Sequence, residues 1–150
     1  MATVHDVAAY ILEKAAPMSA MKLQKLCYFS YGYHLAWEER PLFPERFQAW
    51  ANGPVAPALY DKHRGRFQLD SGDIEGDPDA LDEGEAESVD LVLDAMGVFS
   101  AHELSEMSHQ PGPWLDARQR AGVPDLGRST EILRDEEIAD FFGALIDQEG

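Results

Sequence analysis

The sequence predicts a mainly α protein: a compact bundle of six or seven helices around one central buried helix, at about residues 19–39, with a small accessory antiparallel sheet. Three observations predict it. The stretch SAMKLQKLCYFSYGYHLAWEE, Ser19 to Glu39, is apolar on two faces at helical spacing. Leu23, Leu26, Cys27, Ser30, His34 and Trp37 make one face, and Met21, Tyr28, Phe29, Tyr33 and Ala36 make the other. A helix apolar on two sides has neighbours on both. Further helical stripes recur along the chain, interrupted by Pro and Gly and by only a few strand-like runs. Finally, 150 residues at 45% hydrophobic content make one domain with a sizeable core, too apolar for a disordered chain.

Each element has a local reason. Residues 1–17 read as a first helix: Thr3 and Asp6 have capping-box spacing, Val7, Ala8, Ile11, Leu12 and Ala15 form the stripe, and Pro17 ends it. Ser19 is the expected N-cap of the central helix, and Pro41 forbids its continuation. Gly32, in its interior, costs about 1 kcal/mol relative to Ala and points to close approach of another backbone. In PLFPERFQAWANGP, residues 41–54, Phe43, Phe47 and Trp50 are aromatic anchors, Arg46–Trp50 suits a short strand, and Asn52-Gly53-Pro54 is a turn signal. Val55 to about Arg64 reads as a helix with Pro57 in its first turn.

Residues 65–81 read as a loop, acidic and mobile from about 68 to 81, with a brief strand at Phe67–Leu69. Its aspartates lack EF-hand spacing and read as a solvated surface. Asp82 to about Met96 is a helix capped by Asp82 and Glu85, with Val89, Val92, Leu93 and Met96 inward and Gly97 at its C-cap. Ser100 caps a short helix, Ala101–Ser108, and Pro113 starts another containing Trp114. Thr130–Leu133 suits a strand beside Arg46–Trp50. Asp135 caps a terminal helix with Ile138, Phe141, Phe142, Leu145 and Ile146 facing the core.

The charge is unevenly placed. Residues 1–67 carry 8 Lys/Arg against 6 Asp/Glu, whereas residues 68–150 carry 4 against 22, and no Lys or Arg lies between Arg66 and Arg118. A chain of net charge −16 repels nucleic acid over most of its surface. The acidity serves solubility or a basic protein partner. The first two helices, joined by about three residues, resemble a helix-turn-helix. The second, however, is filled with Leu, Tyr, Phe and Trp, leaving only Lys22, Gln24 and Lys25 to reach bases. No apolar run reaches the roughly 18 residues of a membrane span, and the N-terminus lacks the order of a signal peptide, so the expected location is cytoplasmic.

Catalytic chemistry is hard to assemble. The lone Cys27 excludes an internal disulfide and a multi-cysteine zinc site, and its position among Leu26 and Tyr28 is a core position. His34, seven residues on, lies about 10 Å along the helix, too far for a thiolate–imidazole pair. His102 and His109 are likewise seven apart, and His63, beside Arg64, reads as surface. Ser105 precedes His109 by four, the spacing of a side-chain contact. P-loop, GxGxxG, GxSxG and HExxH patterns are absent. The expectation is a binding protein with no catalytic residues, metal or cofactor. A surplus of aromatic residues, Tyr28, Tyr31, Tyr33, Trp37, Trp50, Tyr60 and Trp114, serves either the core or an interface.

Several motifs carry a resemblance. KLQKLCY at Lys22–Tyr28, the Gly53-Pro54-Val55, Pro57, Tyr60 pattern, and Leu104, Ser105, Ser108, His109, Trp114 stand in order within MKLQKLCYFSYGYHLA, RPLF, FQAWANGPVAPALY and LSEMSHQPGPWLDAR. Together they resemble the SocA-type antitoxin domain, also called the Panacea domain, a family that includes phage-associated GepA-like proteins. The similarity runs from about Val7 to Phe142 and is weakest in the acidic Asp70–Asp94 stretch. The resemblance implies a mostly helical antitoxin without a catalytic site. It would come from a bacterial or prophage toxin–antitoxin pair and neutralise a cognate protein toxin, encoded by the adjacent gene, by direct binding. The alternative it implies is a proteolytic adaptor delivering a bound toxin to an AAA+ protease. The expected toxin-binding residues are Trp50, Gly53, Pro54, Val55, Pro57, Tyr60, His109 and Trp114 in the aromatic region, or Glu83, Glu85 and Glu87 in the acidic half. Self-association into a homo-oligomer stays open.

Overall fold

The computed structural model describes residues 1–149. The chain runs α1 (Val4–Ala15), β1 (Met18–Ser19), α2 (Ala20–Glu38), β2 (Gln48–Trp50), β3 (Gly53–Val55), α3 (Pro57–His63), β4 (Gln68–Leu69), a 3-10 turn (Pro78–Ala80), α4 (Glu83–Met96), α5 (Ala101–Ser108), α6 (Pro113–Ala121) and α7 (Asp135–Glu149). It is mainly α with two small antiparallel sheets, β1–β4 and β2–β3. Among the described residues, no helix is long and apolar enough to cross a membrane.

The central helix is where the sequence places it. Ser19 accepts from the Lys22 amide, and Glu39 closes the helix in the left-handed region at φ 58°. Helices α1, α4, α5 and α7 all pack on α2. The predicted capping boxes at Thr3/Asp6 and Asp82/Glu85 both form, and Ser100/Glu103 adds a third. Gly97 is the C-cap of α4 but stays right-handed, at φ −62°.

Gly32 answers to a different neighbour than its helix position predicts. A Cβ there would lie 2.1 Å from Cε2 of Phe142, so an α7 ring, not another backbone, presses on α2. Phe142 is fully buried and meets Tyr28, Phe29 and Tyr33 edge-on at ring distances of 5.6, 5.8 and 4.9 Å. The end of α7 predicted to be capped by Asp135 starts one residue earlier: the Arg134 carbonyl accepts from the Ile138 amide. This frees the Asp135 carboxylate to accept from the Tyr31 hydroxyl at 2.7 Å.

The strand expectations shift by a few residues. The predicted Arg46–Trp50 strand is Gln48–Trp50, and its ladder partner is Gly53–Val55, where the sequence reads as turn and helix start. Thr130–Leu133 does lie beside it, reduced to a single bridge between Gln48 and Ile132. Leu69 pairs with Met18, so the short connection before α2 is itself a strand. The acidic loop is tied down at two points: Ile74 is buried, and the Asp77 amide donates to Asp6 at 2.8 Å.

Candidate functional site

The motifs converge on the β2–β3 hairpin, which is wedged between α2, α5 and α6. Gly53 begins β3 at φ +129°, a region that L side chains avoid, and a Cβ there would also sit 2.6 Å from Cε of Lys25. The motif glycine is therefore required twice, by backbone conformation and by close approach.

Two of the three α2 residues that sequence leaves to reach bases, Gln24 and Lys25, are instead wholly buried and face this hairpin. Lys25 donates from Nζ to the Pro54 carbonyl at 3.1 Å, and desolvation lowers its pKa to about 7. Gln24 clamps the next residue: its Nε2 donates to the Ala56 carbonyl at 3.2 Å and its Oε1 accepts from the Ala56 amide at 2.9 Å. Gln24 Nε2 also lies 3.0 Å from His63 Nε2, which with Oε1 and the Ala56 carbonyl makes one closed polar network. With both side chains consumed, neither remains to touch a base, and the helix-turn-helix comparison loses two of its three reading residues. His63, read as surface beside Arg64, is buried, and desolvation, with the Lys25 charge adding to it, lowers its pKa.

On the other side of the hairpin, α5 and α6 supply the remaining motif residues. Ser105 donates to the Asn52 carbonyl and stands 3.5 Å from Nε2 of His109. Ser108 donates to the Ser105 carbonyl at 2.7 Å. The His109 ring stacks on Trp114 with centroids 4.1 Å apart, and Trp114 Nε1 donates to the Trp50 carbonyl at 2.8 Å. Arg118 lies over the other part of the Trp114 surface at 5.1 Å and donates to the carbonyls of Ala49, Pro124 and Gly127. The Ser105–His109 spacing thus yields a contact, but the hydroxyl proton points to a backbone carbonyl, the geometry of an anchor for the turn.

The predicted contact residues divide by burial. Gly53, Pro54, Val55 and Trp114 are buried in the chain itself, holding the hairpin. Glu85 is 2% exposed: its carboxylate closes the α4 capping box and meets Arg40 at 3.5 Å. Of these five, only Val55 and Trp114 reach open space, as parts of groove walls. Trp50, Pro57, Tyr60 and His109 are partly exposed, with Trp50 and Tyr60 packed edge to face at 4.9 Å. Glu83 and Glu87 are exposed on α4. Two grooves flank the hairpin tip. One, of about 300 Å³, lies among Met21, Trp50, Asn52, Val55 and Arg128; the other, of about 400 Å³, among Ala51, His109, Trp114, Gln119 and Leu126.

Cys27 is buried as its neighbours predict, and desolvation pushes its thiol pKa well above the ordinary range. Since the thiolate is the reactive form, iodoacetamide at pH 8 should leave Cys27 unmodified in the folded protein and label it fully in urea; mass spectrometry reads the difference. Rapid labelling of the native protein would place Cys27 in an open site.

The arrangement is one of backbone anchoring: Lys25, Gln24, Ser105, Trp114 and Arg118 each donate to a carbonyl of the hairpin or its flanks. Among the described residues no group of three or more His, Cys, Asp and Glu is placed to hold a metal ion. Sequence reasoning missed Gln24 and Lys25 because a polar residue in a helix reads as exposed; the sign available was their place between Leu23 and Leu26 on a helix apolar on both sides.

Comparison with known proteins agrees with these motifs. The sequence model of the family described as "Antitoxin SocA-like, Panacea domain" matches residues 23–115, which span α2 through the start of α6. A relative in Caulobacter vibrioides (strain NA1000 / CB15N), "Antitoxin SocA", is 36% identical over 152 residues, covering 91% of this chain and 80% of the relative. No solved structure matches the chain. A matched segment that contains every hairpin anchor from Gln24 to Trp114, together with a relative similar over nearly the full length, places this chain in the SocA-like antitoxin family with a Panacea domain.

Proposed function

We propose that this chain is an antitoxin that neutralises a cognate protein toxin by direct protein–protein binding, the toxin being the product of the adjacent gene. The observation that carries this reading is the 36% identity to a protein named antitoxin over 91% of the chain. The geometry supports it from a second direction. The polar side chains that look chemical in the sequence, Cys27, Ser105 and His109, are spent on packing and backbone anchoring. What remains outside is contact surface: the partly exposed Trp50, Pro57, Tyr60 and His109 around a rigidly held hairpin tip, and the acidic Glu83 and Glu87. Trp and Tyr held by buried neighbours lose little conformational freedom on binding, the property of interface anchors.

The test is growth. The neighbouring reading frame is induced alone and with this chain. Arrest by the neighbour and rescue by this chain are expected. A neighbour that is harmless, or arrests growth regardless of this chain, would overturn the proposal.

A further inference from the structure

We infer that the groove between α2, α4 and α5 is the docking site for a basic amphipathic helix, presented by the toxin that this chain neutralises; the identity of that partner rests on the reading above. The groove, of about 350 Å³, is lined by Tyr33 and Trp37 from α2, Leu91 and Ala95 from α4, and Phe99 and Met107 at and on α5. Its size suits two large apolar side chains, the anchors that a helix offers at i and i+3 or i+4. Three of its neighbouring side chains are apolar and open to water: Trp37 is 40% exposed, Leu91 47%, and Val98, beside Phe99, 84%. Tyr33 and Trp37 stack at 5.2 Å, so this wall is a fixed aromatic plate, whereas Met107 opposite is adaptable. Three helices bound the groove, which favours an incoming helix over strand addition.

Charge selects the partner's sign. Glu87 and Asp94 lie within one turn of Leu91 on α4, Glu103 lies one turn before Met107 on α5, and all three are exposed. The nearby cations are committed: Lys22 donates to the Gly97 carbonyl at 2.5 Å, and Arg40 is paired with Asp82 and Glu85. With no Lys or Arg between Arg66 and Arg118, the α4 and α5 walls carry no counter-charge of their own beyond His102, which sits 3.7 Å from Glu106. An apolar floor with an acidic rim complements a helix with an apolar stripe and Lys or Arg beside it. The groove and the hairpin use opposite sides of α5, since Ser105 bonds the hairpin's Asn52 carbonyl while Met107 lines the groove.

Calorimetry tests the groove without the toxin. Three helical peptides of about 18 residues, some five turns, serve as probes: Leu in a single stripe with Lys elsewhere, the same composition with Leu scattered, and the striped peptide with Glu for Lys. Saturable one-to-one binding is expected for the first alone. Leu91→Glu and Trp37→Ala alter half-exposed positions, so circular dichroism should be unchanged, and each should weaken binding by on the order of tenfold or more. Leu91→Glu also adds negative charge, so attraction by charge alone would tighten binding. Equal affinity for the scattered peptide, or unchanged affinity in Leu91→Glu, would overturn the inference. In the growth assay, Leu91→Glu should lose rescue that the unmodified chain provides. Retained rescue would show that the toxin docks elsewhere and would also overturn the inference. Failure of the unmodified chain to rescue strikes the neutralisation reading instead, and the peptide titration still decides the groove.

Discussion

Gly32→Ala should destabilise the protein by about 2–3 kcal/mol, although alanine is favoured over glycine in a helix interior by roughly 1 kcal/mol. The added Cβ would meet Cε2, Cδ2 and Cζ of Phe142 at 2.1, 2.3 and 2.5 Å. The ring has nowhere to retreat: it is fully buried and borders Tyr28, Phe29, Tyr33 and Phe141. Helix α7 must therefore move off α2, and every aromatic edge contact on that side loosens with it. The pairing predicts non-additivity. Phe142→Leu alone leaves a void and costs about 1–2 kcal/mol, but combined with Gly32→Ala the total should fall well short of the sum. Urea denaturation of the two single variants and the double variant measures it. A neutral Gly32→Ala would mean that α7 does not seat its ring on this glycine.

Lys25→Met should stabilise the protein at neutral pH, and the gain should shrink as pH rises. Lys25 is wholly buried and desolvation alone lowers its pKa from 10.5 to about 7. Between those values the unfolded chain binds the proton and the folded chain releases it. Stability contributed by this group thus rises with pH, by about 1.4 kcal/mol per pH unit, from near pH 7 towards pH 10.5. At pH 7 the penalty is on the order of 4–5 kcal/mol, offset in part by the bond to the Pro54 carbonyl. Methionine has a similar length, no charge and no titration. The difference between the two proteins, taken from urea midpoints at pH 7 and pH 9, should therefore narrow by about 2–3 kcal/mol. A difference independent of pH would show that Lys25 keeps its ordinary protonation in the folded state.

Those two residues also mark what was legible in the sequence. Capping residues are local signals, so Thr3, Ser19, Asp82 and Ser100 set the starts of four helices correctly. The two-faced pattern of α2 announced a helix with neighbours on both sides. What packs on Gly32 was not legible, because Phe142 lies more than a hundred residues away and only the tertiary fold brings it there. The burial of Gln24, Lys25, His63 and Glu85 is hidden from the sequence for a common reason. Polarity predicts exposure, yet each of these groups is buried because a specific backbone group or side chain receives it. Gly53-Pro54 is a turn-like pair and reads as a turn, but pairing with Gln48–Trp50 overrides it. The candidate contact residues are half legible: the motif names the hairpin, but burial takes Gly53, Pro54 and Glu85 out of reach and leaves Val55 and Trp114 only as groove walls.

Neutralisation by direct binding is decided by titrating the purified product of the adjacent gene with this chain. Complex formation is followed by size-exclusion chromatography with mass detection, and toxin activity is measured at each ratio. A complex of fixed stoichiometry is expected, with activity falling to zero at the same ratio at which free toxin disappears. Loss of activity without a complex, or a complex that leaves the toxin active, would contradict it.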